Sequence, residues 1–175
     1  RLFSPTTTIA GIDSGSFNIA SPAELLVIDP QGKRLGRDPI NNTDYNEIPS
    51  GVYYVEGIGN PSSEISTLIE ESKNIWIPEP IDGEYNVKVI GADTGSYTLS
   101  ALIYDQTGQS KDIIQTGNTA ANNIQEFELN YSIATVEQAE FYRTVDIDIK
   151  PGSYPNSINL KAKGVVPVAI MTTPF

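Results

Sequence analysis

The chain has no cysteine and no histidine among its 175 residues, and these two absences exclude more chemistry than any motif it carries. Ser-His-Asp and Cys-His nucleophilic catalysis both need an imidazole, and zinc sites are built mainly from Cys and His, so these classes fall away together. No disulfide can staple the fold, so packing alone must hold it; secreted microbial proteins often lack cysteine, so no compartment follows from this. Positive charge is also scarce. Lys and Arg number 11 against 22 Asp and Glu, a net charge of −11, the wrong sign for a nucleic-acid partner. No run of 18 apolar residues occurs, so no helical membrane span is expected. The chain opens on Arg1 rather than Met, has no signal-like segment, and reads as a processed product.

Helix signals are few, and what is present is strand chemistry punctuated by turns. Phe17–Ala20 and Glu24–Ile28 read as an early pair around Ser21-Pro22, and Asp29-Pro-Gln-Gly32 has the residues of a type I turn. Val52–Val55 and Asn74–Ile77 follow as short strands bounded by Pro or Gly. Tyr85, Val87 and Val89 alternate with polar residues, Gly91-Ala-Asp-Thr-Gly95 turns the chain, and Tyr97, Leu99, Ala101 and Ile103 carry the next apolar face. This alternation predicts a hairpin. Asp105-Gln-Thr-Gly108 turns again into a strand over Lys111–Thr116, and Ile124–Leu129 closes the set. Short strands at this spacing predict an all-β fold, an antiparallel, jelly-roll-like β-sandwich over residues 1–131. Helix is conceivable only at Glu64–Ser72 and Ile133–Phe141; residues 132–143 read as a linker or a short helix.

Residues 144–175 read as a strand-rich extension. Val145, Ile147 and Ile149 alternate with Asp146, Asp148 and Lys150, and Val165–Met171 is a second apolar, β-branched run, with Val165, Val166, Val168 and Ile170 as candidate assembly residues. The segment's charge sums to +1, which leaves −12 of the −11 total on residues 1–143. A basic tail on an acidic body favours head-to-tail contact between copies, although ordinary solvated faces would look the same. Two or three strands cannot bury enough surface to stand alone. The last strand therefore pairs with a neighbouring subunit or folds back onto its own sandwich, unless the chain is a fragment; these alternatives stay open.

Other candidate sites are modest. Asp38, Asn41, Asn42 and Asp44 gather oxygen ligands suited to Ca2+, but off the EF-hand spacing, and Asx residues also stabilise turns through their own backbone. Asp105, Thr107 and Asp112 form a weaker set of the same kind. Asn41 and Asn130 head the acceptor sequons Asn41-Asn-Thr43 and Asn130-Tyr-Ser132, relevant if the source glycosylates its surface proteins. Tyr53, Tyr54, Trp76, Tyr85 and Tyr97 could stack on a surface glycan, or simply fill the core. The carboxylate pairs Asp146/Asp148 and Glu70/Glu71 are of a kind that can do acid–base work, but alternation explains Asp146 and Asp148 as solvent-facing, no apolar pocket to raise a pKa is legible, and no enzyme activity is expected.

Two stretches carry a family resemblance. Leu25-Leu-Val-Ile-Asp-Pro-Gln-Gly-Lys-Arg-Leu-Gly-Arg-Asp-Pro39, Asn46-Glu-Ile-Pro49 and Pro80–Leu99, with Gly83-Glu-Tyr85 and Gly95-Ser-Tyr-Thr-Leu99, are similar to pre-peptidase C-terminal-type β-sandwich modules of secreted bacterial and archaeal proteins. Asp148-Ile-Lys-Pro-Gly-Ser-Tyr-Pro-Asn-Ser-Ile-Asn159 resembles the start of a repeat-like module in secreted microbial proteins, which has an aspartate where Tyr154 stands and continues well past the position of Phe175. Neither resemblance implies catalysis by the module, and both imply an extracellular or cell-surface location. The expected function is that of a non-catalytic structural protein, a surface-filament subunit joined head-to-tail by C-terminal strand donation. The alternative is an accessory module of a larger secreted hydrolase, stabilising or adhesive.

Overall fold

The computed structural model describes residues 13–20, 22–57, 71–143, 146–149, 152 and 165–171, and divides the chain into two compact units, Arg1–Tyr142 and Arg143–Phe175. The first unit is an antiparallel β-sandwich with no helix among its described residues. Its strands are β1 (Ser14–Ala20), β2 (Ala23–Ile28), β3 (Arg34–Asp38), β4 (Thr43–Asn46), β5 (Val52–Gly57), β6 (Glu71–Pro78), β7 (Gly83–Gly91), β8 (Gly95–Tyr104), β9 (Ser110–Thr119), β10 (Ile124–Tyr131) and β11 (Phe141–Tyr142). A five-stranded sheet runs β5-β6-β1-β8-β9, and a six-stranded sheet runs β11-β10-β7-β2-β3-β4.

The period-2 pattern read from the sequence becomes the sandwich interior. Phe17, Ile19, Ile75, Ile77, Leu99, Ala101 and Ile103 from one sheet are buried against Leu25, Val27, Leu35, Val87, Val89, Phe127 and Leu129 from the other. Tyrosines tie the layers together by placing a ring in the core and a hydroxyl on a partner. The Tyr97 hydroxyl on β8 donates to Gln125 Oε1 on β10 at 2.8 Å, and the Tyr131 hydroxyl on β10 donates to the Tyr104 carbonyl on β8 at 2.9 Å.

Two sequence expectations are corrected by this topology. Phe17–Ala20 and Glu24–Ile28 are strands, but β1 pairs with β6 and β8 while β2 pairs with β3 and β7, so the pair straddles the two sheets. Likewise β7 and β8 do not form a hairpin: β7 lies between β10 and β2, and β8 between β1 and β9. Gly91–Gly95 is an arch from one sheet to the other. Alternation alone cannot separate the two cases, because a hairpin and an arch both turn the same side chains inward. The backbone contacts do separate them. Gly91 N–H donates to the Asn123 carbonyl and the Gly91 carbonyl accepts from Asn122 N–H, both at 2.8 Å, clamping the arch to the β9–β10 connection. At the neighbouring β1–β2 connection, the Ala92 and Asp93 amides donate to the Pro22 carbonyl at 2.9 and 3.1 Å.

Two of the hairpins share one turn design. At β2–β3, Gly32 N–H donates to the Asp29 carbonyl at 2.9 Å, and at β8–β9, Gly108 N–H donates to the Asp105 carbonyl at 3.0 Å. Each turn ends on a glycine with φ +81°, a type I turn followed by a left-handed residue. In each, the buried aspartate accepts backbone amides at the second and fourth following residues: Gln31 and Lys33 at 2.9 and 2.8 Å, Thr107 and Gln109 at 2.9 and 3.0 Å.

The stretch 132–143 contains turns and β11, and Val136 and Ala139 are buried in the sandwich core. Of the other conceivable helix, Glu64–Ser72, residues 64–70 lie outside the described residues, and Glu71 and Ser72 open β6. The second unit contains β12 (Asp146–Ile149) and β13 (Val168–Met171), paired antiparallel in a two-stranded sheet.

Candidate functional site

The oxygen-rich loop is the β3–β4 hairpin turn, which brings Asp38, Asn41, Asn42 and Asp44 together as the sequence suggested. Its oxygens are engaged in building the turn. Asp38 Oδ1 accepts from the Ile40 and Asn41 amides at 2.9 and 3.2 Å, and Asp38 Oδ2 accepts from Asn41 Nδ2 at 2.7 Å. These bonds to the charged form hold the Asp38 carboxyl below the usual carboxylate range, outweighing desolvation, the largest single influence and the one acting the other way. Arg37 covers the remaining pair, 2.7 Å from Asp44 Oδ1 and 3.0 Å from Asn42 Oδ1. Among the described residues, no group of three or more acidic side chains converges as metal ligands would. Of the second set, Asp105 and Thr107 bond each other in the β8–β9 turn at 2.6 Å, while Asp112 pairs opposite the outward-facing Leu102. The sequon residues Asn41 and Asn130 are both exposed, on the hairpin turn and on β10.

The assembly candidates fall in the second unit. Val168 and Ile170 are in β13, where Val168 pairs with Ile149 and Ile170 with Ile147. Val165 and Val166 precede the strand; Val165 is 98% exposed, Val166 44% and Val168 58%. The last strand therefore has a partner inside its own unit, in Asp146–Ile149. Of the carboxylate pairs, Asp146 and Asp148 both lie on β12, and Glu71 lies 3.5 Å from Lys73 while Glu70 is outside the described residues.

The aromatic set divides in two. Tyr85 and Tyr97 are buried, and Tyr53 is half-buried with its hydroxyl donating to Glu24 Oε2 at 2.8 Å. Burial pushes the Tyr85 hydroxyl up to about 12. Burial, reinforced by Glu24, raises the Tyr53 hydroxyl as well.

Tyr54 and Trp76 stand on the outer face of the five-stranded sheet. Two rows cross this face in register: Val52–Trp76–Ser16–Leu102–Asp112, and Tyr54–Asn74–Asn18–Ser100–Ile114. Val52, Tyr54, Trp76, Leu102 and Ile114 are 38% to 62% exposed. Between them the amides are mutually bonded: Asn18 Nδ2 donates to Asn74 Oδ1 at 2.6 Å and to Ser72 Oγ. The other outer face is different in kind, with Lys88 bonded to Glu126 at 2.7 Å and Arg34 bonded to Glu47 at 2.9 and 2.6 Å. Sequence reasoning missed Val52, Leu102 and Ile114. Their signal was parity: Leu102 falls out of step with Leu99, Ala101 and Ile103, and Ile114 directly follows the buried Ile113.

An open cleft of about 470 Å³ lies between the Asp29–Lys33 turn, Ile48–Ser50 and Pro78–Ile81. Two of its residues, Ser50 and Glu79, have left-handed φ values of 58° and 50°. No family model matches the chain, and no curated protein or solved structure is significantly similar to it.

Proposed function

We propose that the chain is a non-catalytic extracellular or cell-surface structural protein that works by association, a fibre subunit whose head-to-tail contact is made by its C-terminal strands. One observation carries this reading. Among the described residues, β12 and β13 form a two-stranded sheet in which Val168 is exposed, with exposed Val165 and Val166 just before it, and two strands with an apolar surface are marginal in water. Both edges of such a pair present ladder groups that further strands can satisfy. Because Val168–Met171 already pairs with Asp146–Ile149, the donated element is a hairpin added edge-on rather than a free strand. A contact between tail and body is heterologous and propagates unless it closes into a ring. The opposite signs of tail and body favour that orientation over tail-to-tail contact.

Negative-stain imaging of the purified chain beside a version lacking residues 164–175 tests this. Polymers that vanish on truncation are expected, and monomers in both samples would overturn the reading. A second reading, an accessory module of a larger secreted hydrolase that adds stability or adhesion to a surface glycan, is favoured by the closed core of the first unit.

A further inference from the structure

We propose that the outer face of the five-stranded sheet binds an uncharged polysaccharide, with Trp76 and Tyr54 as stacking residues. The inference rests on the adhesive part of the second reading and is independent of fibre assembly. It begins from an asymmetry between the two outer faces. One is laced with charge, whereas the other groups five large apolar side chains in two adjacent rows. Solvated sheet faces carry such residues singly; here Val52, Tyr54 and Trp76 cluster on β5 and β6, and Leu102 and Ile114 on β8 and β9, and grouping of this kind marks a contact surface.

The chemistry of the rows selects the occupant. In a protein of net charge −11, the two rows contain one formal charge, Asp112, at their β9 end. An anionic polymer gains nothing there and is repelled by the whole molecule, and a cationic partner finds no carboxylates in the middle of the face. A sugar chain presents what the face complements: weakly apolar C–H surfaces that lie on aromatic rings, and hydroxyls that need donors and acceptors. The supply of these is central. Asn18, Asn74, Ser16 and Ser100 sit between the apolar ends of the rows, and the Asn18–Asn74 bond fixes both amides before a ligand arrives. Trp76 and Tyr54 lie on neighbouring strands, one row apart, as diagonal neighbours about 7–8 Å apart. Strands spaced about 4.8 Å make each five-residue row roughly 19 Å across, a platform for several sugar units rather than one.

Trp76 is the chain's single tryptophan, so its fluorescence reports this face alone. The intact chain is mixed with insoluble cellulose, chitin, mannan and starch, and with alginate as a charged control. Retention on at least one of the four uncharged polymers is expected, with little change on adding salt and a blue shift of Trp76 emission with its soluble oligosaccharide. Trp76→Ala with Tyr54→Ala should weaken retention at least tenfold while circular dichroism is unchanged, and Trp76→Phe should restore most of it. Retention by none of the four, retention that salt abolishes, or retention unaffected by the double substitution would each overturn the proposal. Adhesion to whole cells without polysaccharide retention would also overturn it, while leaving the adhesive reading in place.

Discussion

Replacing Gly91 by alanine is the sharpest probe of the sandwich topology. A Cβ at this position would stand 2.0 Å from the Ala120 carbonyl oxygen, 2.3 Å from Thr119 Oγ1 and 2.8 Å from the Ala120 carbonyl carbon. Two of these are backbone atoms, so the β9–β10 connection must retreat by about 1 Å to admit the methyl group. That movement disrupts the two 2.8 Å bonds joining Gly91 to Asn122 and Asn123. At about 1 kcal/mol for each bond and about 1–3 kcal/mol for overpacking, the expected loss is roughly 3–5 kcal/mol. With a urea m-value of about 2 kcal/mol/M, the midpoint should fall by roughly 1.5–2.5 M. Trp76 fluorescence follows the transition, since it reports the sandwich unit alone. Gly108→Ala is the control: its φ is +81° but nothing lies within 4 Å of the added atom, so only the left-handed penalty of about 1–2 kcal/mol applies. Had β7 and β8 formed a hairpin, alanine at position 91 would be nearly neutral or slightly stabilising. A midpoint for Gly91→Ala within about 0.3 M of the parent would refute the arch.

Three further outcomes follow from the same contacts. Tyr131→Phe removes the 2.9 Å bond to the Tyr104 carbonyl and should cost about 1 kcal/mol, or roughly 3 °C in Tm by calorimetry. Tyr85 has its folded-state pKa raised to about 12 by burial, so its contribution is complete below the unfolded value of about 10 and is lost as pH rises through the folded one. Urea midpoints should therefore fall between pH 10 and about 12, a decline that Tyr85→Phe makes shallower. Glu126 has its pKa lowered, chiefly by its bond to Lys88, so its contribution is present above the unfolded carboxylate value and lost as pH falls through the folded one. Glu126→Gln should flatten the acid limb of the stability profile slightly, and added salt should do the same in the parent.

The strands were legible in the sequence because alternation is a local property. Tyr85–Val89 and Tyr97–Ile103 each bury the residues their period names. What alternation could not carry was which sheet each strand joins. That depends on long-range contacts such as Gly91 with Asn122 and Asn123, invisible to a period-2 pattern. The turns at Asp29 and Asp105 were readable because Asp first and Gly fourth is chemistry that the turn itself requires. The outer platform was only half legible. Trp76 and Tyr54 drew attention as aromatics, but their row neighbours Val52, Leu102 and Ile114 were masked by the apolar runs around them. In the oxygen-rich loop the residues and the turn-building role open to them were identified, and one engagement was not: Arg37, on β3, is the side chain that engages Asn42 and Asp44.

Association through the C-terminal hairpin is tested most directly by amide hydrogen exchange of Asp146–Ile149 and Val165–Met171 across a range of protein concentrations. A two-stranded sheet alone opens readily, whereas strands added at its edges hold both backbones. The account predicts weak protection in dilute protein, rising with concentration together with the appearance of polymers. Protection that is the same at every concentration, whether high or low, would contradict it.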